Sequence, residues 1–297
     1  MNDYKKYLNP KTIAQLKKIE LKSRLVVEGF ITGLHRSPYH GFSVEFSEHR
    51  QYYPGDEVKH IDWKVYGRTD KYYIKQYEEE TNLRCMIAVD KSASMSYASE
   101  GNIPKYEYSI YLAAALSYML IKQRDAVGLA LYDTNLQTFL PPRSKTSYIN
   151  EILKTLDGTQ PSKQTGTSAA LDELAERINR RNLVVIISDF LDDETSVINA
   201  LKHFRHRNHE VVIFHVLDPQ EVDFQFGNSA NFVDMENNEE IITQPYQIRK
   251  SYRTAVDTYI RNIQKECYNY NIDYNLITTS DTFDKALRKF LSKRARI

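Results

Sequence analysis

The sequence predicts an α/β fold in which a doubly wound, mostly parallel β-sheet is flanked by helices, with a small β-rich extension at the N-terminus. Two observations lead to this prediction. Residues 85–89 and 183–187 are short, continuous apolar runs, which are typical of strands buried on both faces. From residue 85 onward, such runs alternate with segments of helical periodicity, and this alternation is typical of βαβ units in a parallel sheet.

The elements after residue 85 follow in a regular order. Residues 126–132 and 136–140 are predicted to form a hairpin, and Pro141 and Pro142 are predicted to end its second strand. A second hairpin is predicted around Asn237 and Asn238. The remaining predictions are strands at 183–189, 210–217 and 272–278, helices at 105–122, 147–156, 194–206, 246–270 and 283–293, and a helix that begins at Thr167.

The first 82 residues are predicted to form a separate region. Apolar residues at near-helical spacing predict a helix over residues 11–24. Residues 25–48 alternate in short stretches punctuated by glycines, which predicts a small β element. Residues 72–77 predict a strand. We therefore predict two regions: residues 1–82, with the first helix and the β-rich part, and residues 83–297, an α/β domain with a hairpin insertion near 222–243.

The composition is that of an ordinary soluble globular protein. Of 297 residues, 41% are hydrophobic and 27% are charged, and the formal net charge is +1. A charge balance this even gives no strong field to attract nucleic acid or an anionic membrane. The longest nearly uncharged run, residues 109–121, is shorter than the roughly 20 residues that span a bilayer, and the N-terminus lacks the apolar stretch of a signal peptide. We expect a cytoplasmic protein in which Cys85 and Cys267 are core thiols.

Oxygen-bearing side chains follow two of the predicted buried strands and open one predicted helix. In chain order they are Asp90, Ser92, Ser94, Thr167 and Asp189. Thr165 competes with Thr167 for the threonine position, and Thr167 is preferred because it stands where the helix begins. Ligands of open parallel sheets bind at the carboxyl ends of the strands, so we expect these side chains to meet there. Two carboxylates and three hydroxyls suit Mg²⁺ or Mn²⁺, whereas Zn²⁺ favours His and Cys.

The order strand-Asp-x-Ser-x-Ser, then Gly-Thr at a helix start, then strand-Ser-Asp resembles a von Willebrand factor type A (vWA) domain, a Rossmann-like fold, with its metal-ion-dependent adhesion site. The resemblance implies that the two serines and Thr167 contact the metal directly, and that Asp90 and Asp189 act directly or through water. One departure is Lys91, where many relatives have a smaller or neutral residue. Its side chain is expected to point away from the metal.

A longer motif precedes this order. It resembles the signature of the bacterial family known as domain of unknown function 58, Arg-x-Tyr-x-x-Gly-Asp followed by Ile-Asp-Trp and Ala-Arg. The matching residues are Arg50, Tyr52, Gly55, Asp56, Asp62, Trp63 and Arg68, with Lys59 in place of a common arginine and Gly67 in place of the usual alanine. The residues themselves favour a structural brace of aromatic side chains and paired charges.

This second resemblance implies a protein-interaction module without enzymatic activity. Members of the family are commonly encoded beside MoxR-type AAA+ ATPases, and some beside membrane-anchored vWA proteins of the Bat type. The implied role is an adaptor or co-chaperone, in which an acidic residue of a client or of the ATPase docks on the bound metal.

Two alternatives remain open at the level of sequence. A metal-dependent hydrolase would need a general base and a positioned water near the metal, and the sequence contains no nucleophile elbow, P-loop or His-Glu-x-x-His motif. A scaffold without a functional metal would keep the same side chains. His203, His206 and His209 are spaced three apart, but the neighbouring cations favour a solvated helix end over a second metal site.

Overall fold

The computed structural model describes residues 9–14, 16, 18–35, 49–53, 63–75, 83–162, 166–226, 230–233 and 240–294. The strands are β1 (His49–Gln51), β2 (Tyr73–Lys75), β3 (Arg84–Asp90), β4 (Ala126–Tyr132), β5 (Leu136–Arg143), β6 (Leu183–Ser188), β7 (Glu210–Leu217), β8 (Ala230–Val233), β9 (Glu240–Thr243) and β10 (Asp273–Thr278). The helices are α1 (Pro10–Ala14), α2 (Ile19–His35), α3 (Trp63–Thr69), α4 (Lys105–Lys122), α5 (Tyr148–Asp157), α6 (Thr167–Arg177), α7 (Glu194–His206), α8 (Pro219–Asp223), α9 (Pro245–Asn269) and α10 (Phe283–Arg294).

The main sheet has six strands in the order β10-β7-β6-β3-β4-β5. All neighbours pair in parallel except β4 and β5, which are antiparallel. On β3, Cys85, Ile87 and Val89 pack into one hydrophobic core, and Met86 and Ala88 pack into a second. Because successive side chains point to opposite faces, a strand covered on both faces must be apolar throughout. The predicted α/β class is therefore confirmed, and the apolar runs have their physical explanation.

Helices cover both faces of this sheet. One core takes its residues from α2, α4, α5 and α10, and the other takes them from α6, α7 and α9. The boundaries predicted for α4, α7 and β7 agree with the structure. None of the described helices combines the length and apolarity needed to cross a membrane.

The sheet changes direction between β3 and β6. From β3 the chain moves outward through β4 to β5, and it then returns to form β6 on the other side of β3. At such a switch point the loops after the two central strands diverge, and a crevice opens at their carboxyl ends. In this molecule the two loops that diverge begin at Asp90 and Asp189.

The prediction of a β element over residues 25–48 was wrong for its first part. Residues 25–35 belong to α2, which continues to His35. Val26, Val27 and Phe30 are buried on one side of this helix, where they pack into the core that also contains α4. The burial of this apolar stripe offsets the cost of about 0.5–1 kcal/mol that each glycine adds inside a helix. Residues 36–48 lie outside the described part of the chain.

The prediction that Pro141 and Pro142 end the hairpin strand was also wrong, because β5 continues to Arg143. Two features accommodate the prolines. The strand lies at the edge of the sheet, where a missing backbone donor is tolerated. The register also shifts opposite Gly128, whose position would bring an added Cβ within 2.6 Å of the Leu140 carbonyl oxygen. A glycine there lets the edge strand approach closely.

The second hairpin forms as predicted, with β8 and β9 paired antiparallel, although its turn at Asn237 and Asn238 lies outside the described residues. The chain divides into two compact units, one made of Met1–Arg36 with Leu83–Ile297 and the other of Ser37–Asn82. This division differs from the predicted grouping of residues 1–82, because α2 packs against α4 and α10 of the sheet unit.

Candidate metal centre

The structure brings the five predicted oxygen donors together at the switch point of the sheet. Asp90 ends β3, and Ser92 and Ser94 follow it, the latter inside a short 3₁₀ turn. Thr167 is the first residue of α6, and Asp189 comes directly after β6. All of them are buried except Ser94, which is partly exposed. The competing candidate, Thr165, lies outside the described residues. The role of the five as metal ligands stays a prediction.

Asp90 is held entirely by neutral donors. Its Oδ1 accepts from the Ser92 backbone N–H at 2.8 Å, and its Oδ2 accepts from the hydroxyls of Ser188 at 2.6 Å and Thr167 at 3.2 Å. Burial, followed by repulsion from Asp189, raises the pKa of Asp90 to about 6. A buried carboxylate in this condition is one that a bound cation would stabilise.

The hydroxyls continue the chain of contacts from Asp90 to Asp189. Ser92 Oγ lies 3.1 Å from Ser94 Oγ, and the Ser94 hydroxyl is hydrogen-bonded to the Asp189 carboxylate. Ligands at 2.0–2.1 Å in an octahedral Mg²⁺ site lie about 3 Å from their neighbours. The spacing of these oxygens and their chemistry therefore fit a small hard cation.

Asp189 has a different environment, because a buried lysine reaches it. Lys105 Nζ lies 2.8 Å from Asp189 Oδ2 and 2.6 Å from Glu221 Oε1, and its side chain is 0% exposed. Burial alone would raise the pKa of Asp189, but the Lys105 ammonium and the hydrogen bonds from Lys105, Ser94 and the Leu191 N–H hold it below its usual range. Asp189 therefore already has a cation, whereas Asp90 has hydroxyls and one backbone N–H.

Three contributors were not predicted from the sequence: Ser188, Lys105 and Glu221. Ser188 immediately precedes a predicted ligand, so its position carried a signal. Glu221 belongs to a capping box with Asp218 at the start of α8, which the spacing Asp-Pro-Gln-Glu indicates. Lys105 opens α4, a helix with a largely apolar surface, and nothing local in the sequence indicates its partners.

Other sequence expectations near the centre can be compared with the structure. The Lys91 ammonium pairs with Asp133 of the neighbouring loop at 3.2 Å, as expected for a side chain that turns from the predicted ligands. His203 contacts Asp172 at 3.0 Å. His209, however, is buried and accepts a hydrogen bond from the Asn182 N–H at 3.2 Å, so the expectation of a solvated helix end was wrong for this histidine. Cys85 and Cys267 are both buried, in agreement with the prediction of core thiols.

The signature segment belongs to the smaller unit, and only part of it is described. The backbone of Arg50 lies in β1, Tyr52 follows it, and Trp63 and Arg68 lie in α3. The Tyr66 ring stacks on Tyr72 at 4.5 Å and meets the Trp63 ring edge-on at 6.0 Å. Tyr66 thus contacts both of the other rings, and a structural role for the motif stays a prediction. Gly55, Asp56 and Asp62 lie outside the described residues.

A cavity of about 510 Å³ lies close to the centre, between α9 and the carboxyl ends of β6 and β7. Its lining is mostly apolar and includes Leu191, Leu217, Tyr252, Val256 and Ile260. Glu221, the second partner of Lys105, is also part of this lining. The cavity and the centre are therefore linked through Glu221, because its partner Lys105 also pairs with Asp189.

No cluster of three or more His, Cys, Asp or Glu side chains suited to a metal occurs within the described ranges. The candidate centre does not depend on such a cluster, because three of its five oxygen donors are hydroxyls. Its predicted ligand set contains only two carboxylates, Asp90 and Asp189.

Two solved structures are similar to this chain in fold. They are the conserved hypothetical protein BatB from Bacteroides thetaiotaomicron, with 19% identity and a TM-score of 0.47, and an aerotolerance-related membrane protein from Bacteroides fragilis, with 20% identity and a TM-score of 0.49. Each match covers 72% of this chain and 100% of the other. Because both scores are below 0.5, these two likenesses carry no argument about the site.

The sequence comparisons identify a family. Uncharacterized proteins of Mycobacterium bovis and Mycobacterium tuberculosis are 30% identical over 221 residues, covering 72% of this chain and 68% of each relative. The family model described as "Protein of unknown function DUF58" matches residues 48–260, which include β3, β6 and all five predicted ligands. The chain therefore belongs to the DUF58 family of proteins of unknown function.

Proposed function

We propose that this protein is a vWA-type interaction module that binds a protein partner through Mg²⁺, or Mn²⁺, at a metal-ion-dependent adhesion site. One observation carries the proposal. Two buried aspartates, Asp90 and Asp189, stand at the ends of adjacent strands and are joined by a continuous set of hydroxyls. Placing two like charges together in the interior is costly, and a divalent cation would relieve that cost.

The described contacts suggest a division of roles. Ser92, Ser94 and Thr167 would hold the metal through their hydroxyl oxygens, with Asp90 as the carboxylate on the same side. Asp189 would act directly or through water, because Lys105 already engages one of its oxygens. A bound divalent ion supplies a coordination position that an acidic residue of a partner can complete.

The resemblance to the family suggests which partners to test. The first candidate is a MoxR-type AAA+ ATPase, and the others are an acidic client and membrane-anchored vWA proteins of the Bat type. The apolar cavity beside Glu221 would accept an apolar side chain of the partner, next to the acidic residue at the metal. The role would then be that of an adaptor or co-chaperone in the cytoplasm.

We also propose that the centre does not catalyse a reaction. A hydrolase needs a carboxylate or histidine that is available to take a proton from water. Asp90 accepts hydrogen bonds from Ser92, Thr167 and Ser188, and Asp189 is engaged by Lys105, Ser94 and the Leu191 N–H. Turnover of phosphate esters that disappears in Asp189→Ala would contradict this part of the proposal.

One observation favours a second candidate, a scaffold that needs no metal. The Lys105 ammonium already provides a positive charge beside Asp189, where it also pairs with Glu221. In that case the same side chains would serve the fold alone, and partner binding would not depend on divalent ions.

A calorimetric titration of Mg²⁺ and Mn²⁺ tests the proposal. We expect saturable one-site binding in the wild type and its loss in Asp90→Asn. Asp133→Asn is the matched control, because Asp133 also follows a strand at this edge but pairs with Lys91. Binding that survives in Asp90→Asn, or absence of binding in the folded wild type at millimolar metal, would contradict the adhesion-site proposal.

The partner is tested at constant metal concentration. A MoxR-type ATPase uses Mg²⁺ itself, so chelation would affect both proteins. We therefore compare the wild type with Asp90→Asn and Asp133→Asn as immobilised baits for the purified ATPase of the same organism. Retention by the wild type and the control, with loss in Asp90→Asn, is the expected result. Equal retention by all three would favour the metal-free scaffold.

A further inference from the structure

The side chain of Lys105 stands out because its position is unfavourable in two respects. It is the first residue of α4, where the helix dipole disfavours a cation. Its side chain is also 0% exposed, and an ammonium loses its hydration when it is buried.

The compensation comes from two carboxylates on separate elements. Asp189 Oδ2 lies 2.8 Å from the ammonium and Glu221 Oε1 lies 2.6 Å from it. Glu221 is itself fixed, because its Oε2 accepts from the Asp218 N–H at 2.7 Å in the capping box of α8. The ammonium is therefore held in one place beside the carboxylate that also belongs to the candidate centre.

We propose that Lys105 is a resident cation of the centre, which competes with a divalent metal for Asp189 and so weakens metal binding. This inference rests on the proposed function, because it assumes that the centre binds a divalent ion. A cation that approaches Asp189 meets a carboxylate already neutralised by the ammonium, and it is repelled by the ammonium itself. The apo fold would then be stable without metal, and metal affinity would be lower than the oxygen ligands alone allow.

The test removes the Lys105 ammonium and, in the same variant, the charge of Glu221, its second partner. In Lys105→Met/Glu221→Gln, methionine keeps an unbranched side chain but lacks the terminal ammonium, and glutamine keeps the length of glutamate and can accept from the Asp218 N–H. We expect Mg²⁺ to bind this variant at least tenfold more tightly than the wild type by calorimetry. We also expect Mg²⁺ to raise the unfolding temperature of the variant more than that of the wild type, because a ligand that binds only the folded state stabilises it in proportion to its affinity.

Two further variants serve as controls. Lys22→Met removes another buried lysine, whose ammonium contacts Tyr111 on a different part of the unit, and it should leave the affinity for Mg²⁺ unchanged. Glu221→Gln alone keeps the ammonium beside Asp189, so it should show none of the tighter binding expected of the double variant. Both controls separate a specific electrostatic effect from a general loss of stability.

The outcomes distinguish this inference from the proposed function. If the wild type and the double variant bind Mg²⁺ equally, or the variant binds more weakly, the resident-cation inference is overturned while the metal site stands. If neither binds in the folded state, both proposals are overturned. If the double variant folds only when Mg²⁺ is added, the metal has replaced the ammonium and the inference is supported. If it fails to fold even with Mg²⁺ in excess, the inference is overturned.

Discussion

The loops after β3 and β6 present the same residue in opposite electrostatic conditions. Asp90 and Asp189 are both buried at the carboxyl edge of one sheet. The pKa of Asp90 is raised to about 6, first by burial and then by Asp189. Burial acts on Asp189 as well, yet the Lys105 ammonium and the hydrogen bonds around it lower its pKa. The difference therefore comes from the neighbours and not from depth.

Because of this difference, the two sides of the centre should respond differently to a metal ion. A hydroxyl that donates to Asp90 can rotate and offer a lone pair to a cation, so the Asp90 side can reorganise around a metal. An ammonium has only donors, so the Asp189 side stays neutralised whether or not a metal is present. The Asp90 side is therefore suited to bind and release a cation, and the Asp189 side is suited to stabilise the folded protein.

The largest expected effect separates the two aspartates by their contributions to stability. In metal-free buffer, Asp189→Asn should lower the free energy of unfolding by about 3–5 kcal/mol, because it removes one partner of a buried ion pair. Asp90→Asn should change it by less than about 1 kcal/mol, since the hydroxyls of Ser188 and Thr167 can turn to accept from an amide. Urea unfolding of both variants measures the difference.

Equal losses in the free energy of unfolding in Asp189→Asn and Asp90→Asn would contradict the proposed difference between the two aspartates. They would mean that Asp90 also depends on a charged partner, or that Lys105 does not hold Asp189 in solution. Near-ultraviolet circular dichroism before unfolding shows whether each variant keeps its tertiary packing, so that a small loss is not mistaken for a change of native state.

A second prediction concerns Ser188, which precedes Asp189 in the chain but serves Asp90. Its hydroxyl donates to Asp90 Oδ2 at 2.6 Å and accepts from the Phe190 N–H at 2.8 Å. Ser188→Ala removes both bonds, and we expect the free energy of unfolding to fall by about 1.5–3 kcal/mol. If the centre binds Mg²⁺, the affinity should also fall by about 10–100-fold, because the carboxylate loses a positioning partner.

Ser117→Ala provides the matched control for Ser188→Ala. Ser117 is also buried, but its hydroxyl has no hydrogen-bond partner within the described part of the chain. Its removal should leave the stability unchanged or slightly higher, because a polar group without a partner is costly to bury. Similar changes in the free energy of unfolding of Ser188→Ala and Ser117→Ala would contradict the prediction, because they would show that the two hydrogen bonds of Ser188 add no stability.

Much of the sheet unit could be predicted from sequence because buried parallel strands must be apolar on both faces. That requirement makes β3, β6 and β7 visible as continuous runs. The prediction failed where glycine and proline were taken as breaks. Helix α2 continues through its glycines because its apolar stripe is buried, and β5 continues through two prolines because it is an edge strand. Tertiary context decided both cases.

The candidate site shows the same limit. The five oxygen donors follow a local rule, since each stands at or just after the end of a strand or at the start of a helix, and the sheet topology brings such positions together. Lys105 follows no local rule, because it lies 84 residues from Asp189 and 116 residues from Glu221. A pattern of spacing cannot indicate that two elements will supply carboxylates to one ammonium. That ion pair is nevertheless what distinguishes the two halves of the centre.

The smallest expected effect comes from His209, a buried titratable group outside the centre. It lies just before β7, at the opposite edge of the sheet from Asp189. Its pKa is lowered from 6.5, first by burial and then by the nearby Arg207 and His203. The side chain of Arg205 also lies close, donating to the His209 carbonyl oxygen at 2.6 Å. The folded protein therefore holds His209 neutral, with Nδ1 accepting from the Asn182 N–H.

The sign of the pH dependence follows from this lowered pKa. Below about pH 6.5 the unfolded chain binds a proton at His209 that the folded protein resists, so stability should fall as the pH falls through that range. His209→Asn keeps an acceptor near the Asn182 N–H and removes the titration, so its stability should fall less between pH 7 and pH 5. Urea unfolding across this range measures the two slopes. Parallel slopes would contradict this prediction, because they would mean that the pKa of His209 is not lowered in the folded protein.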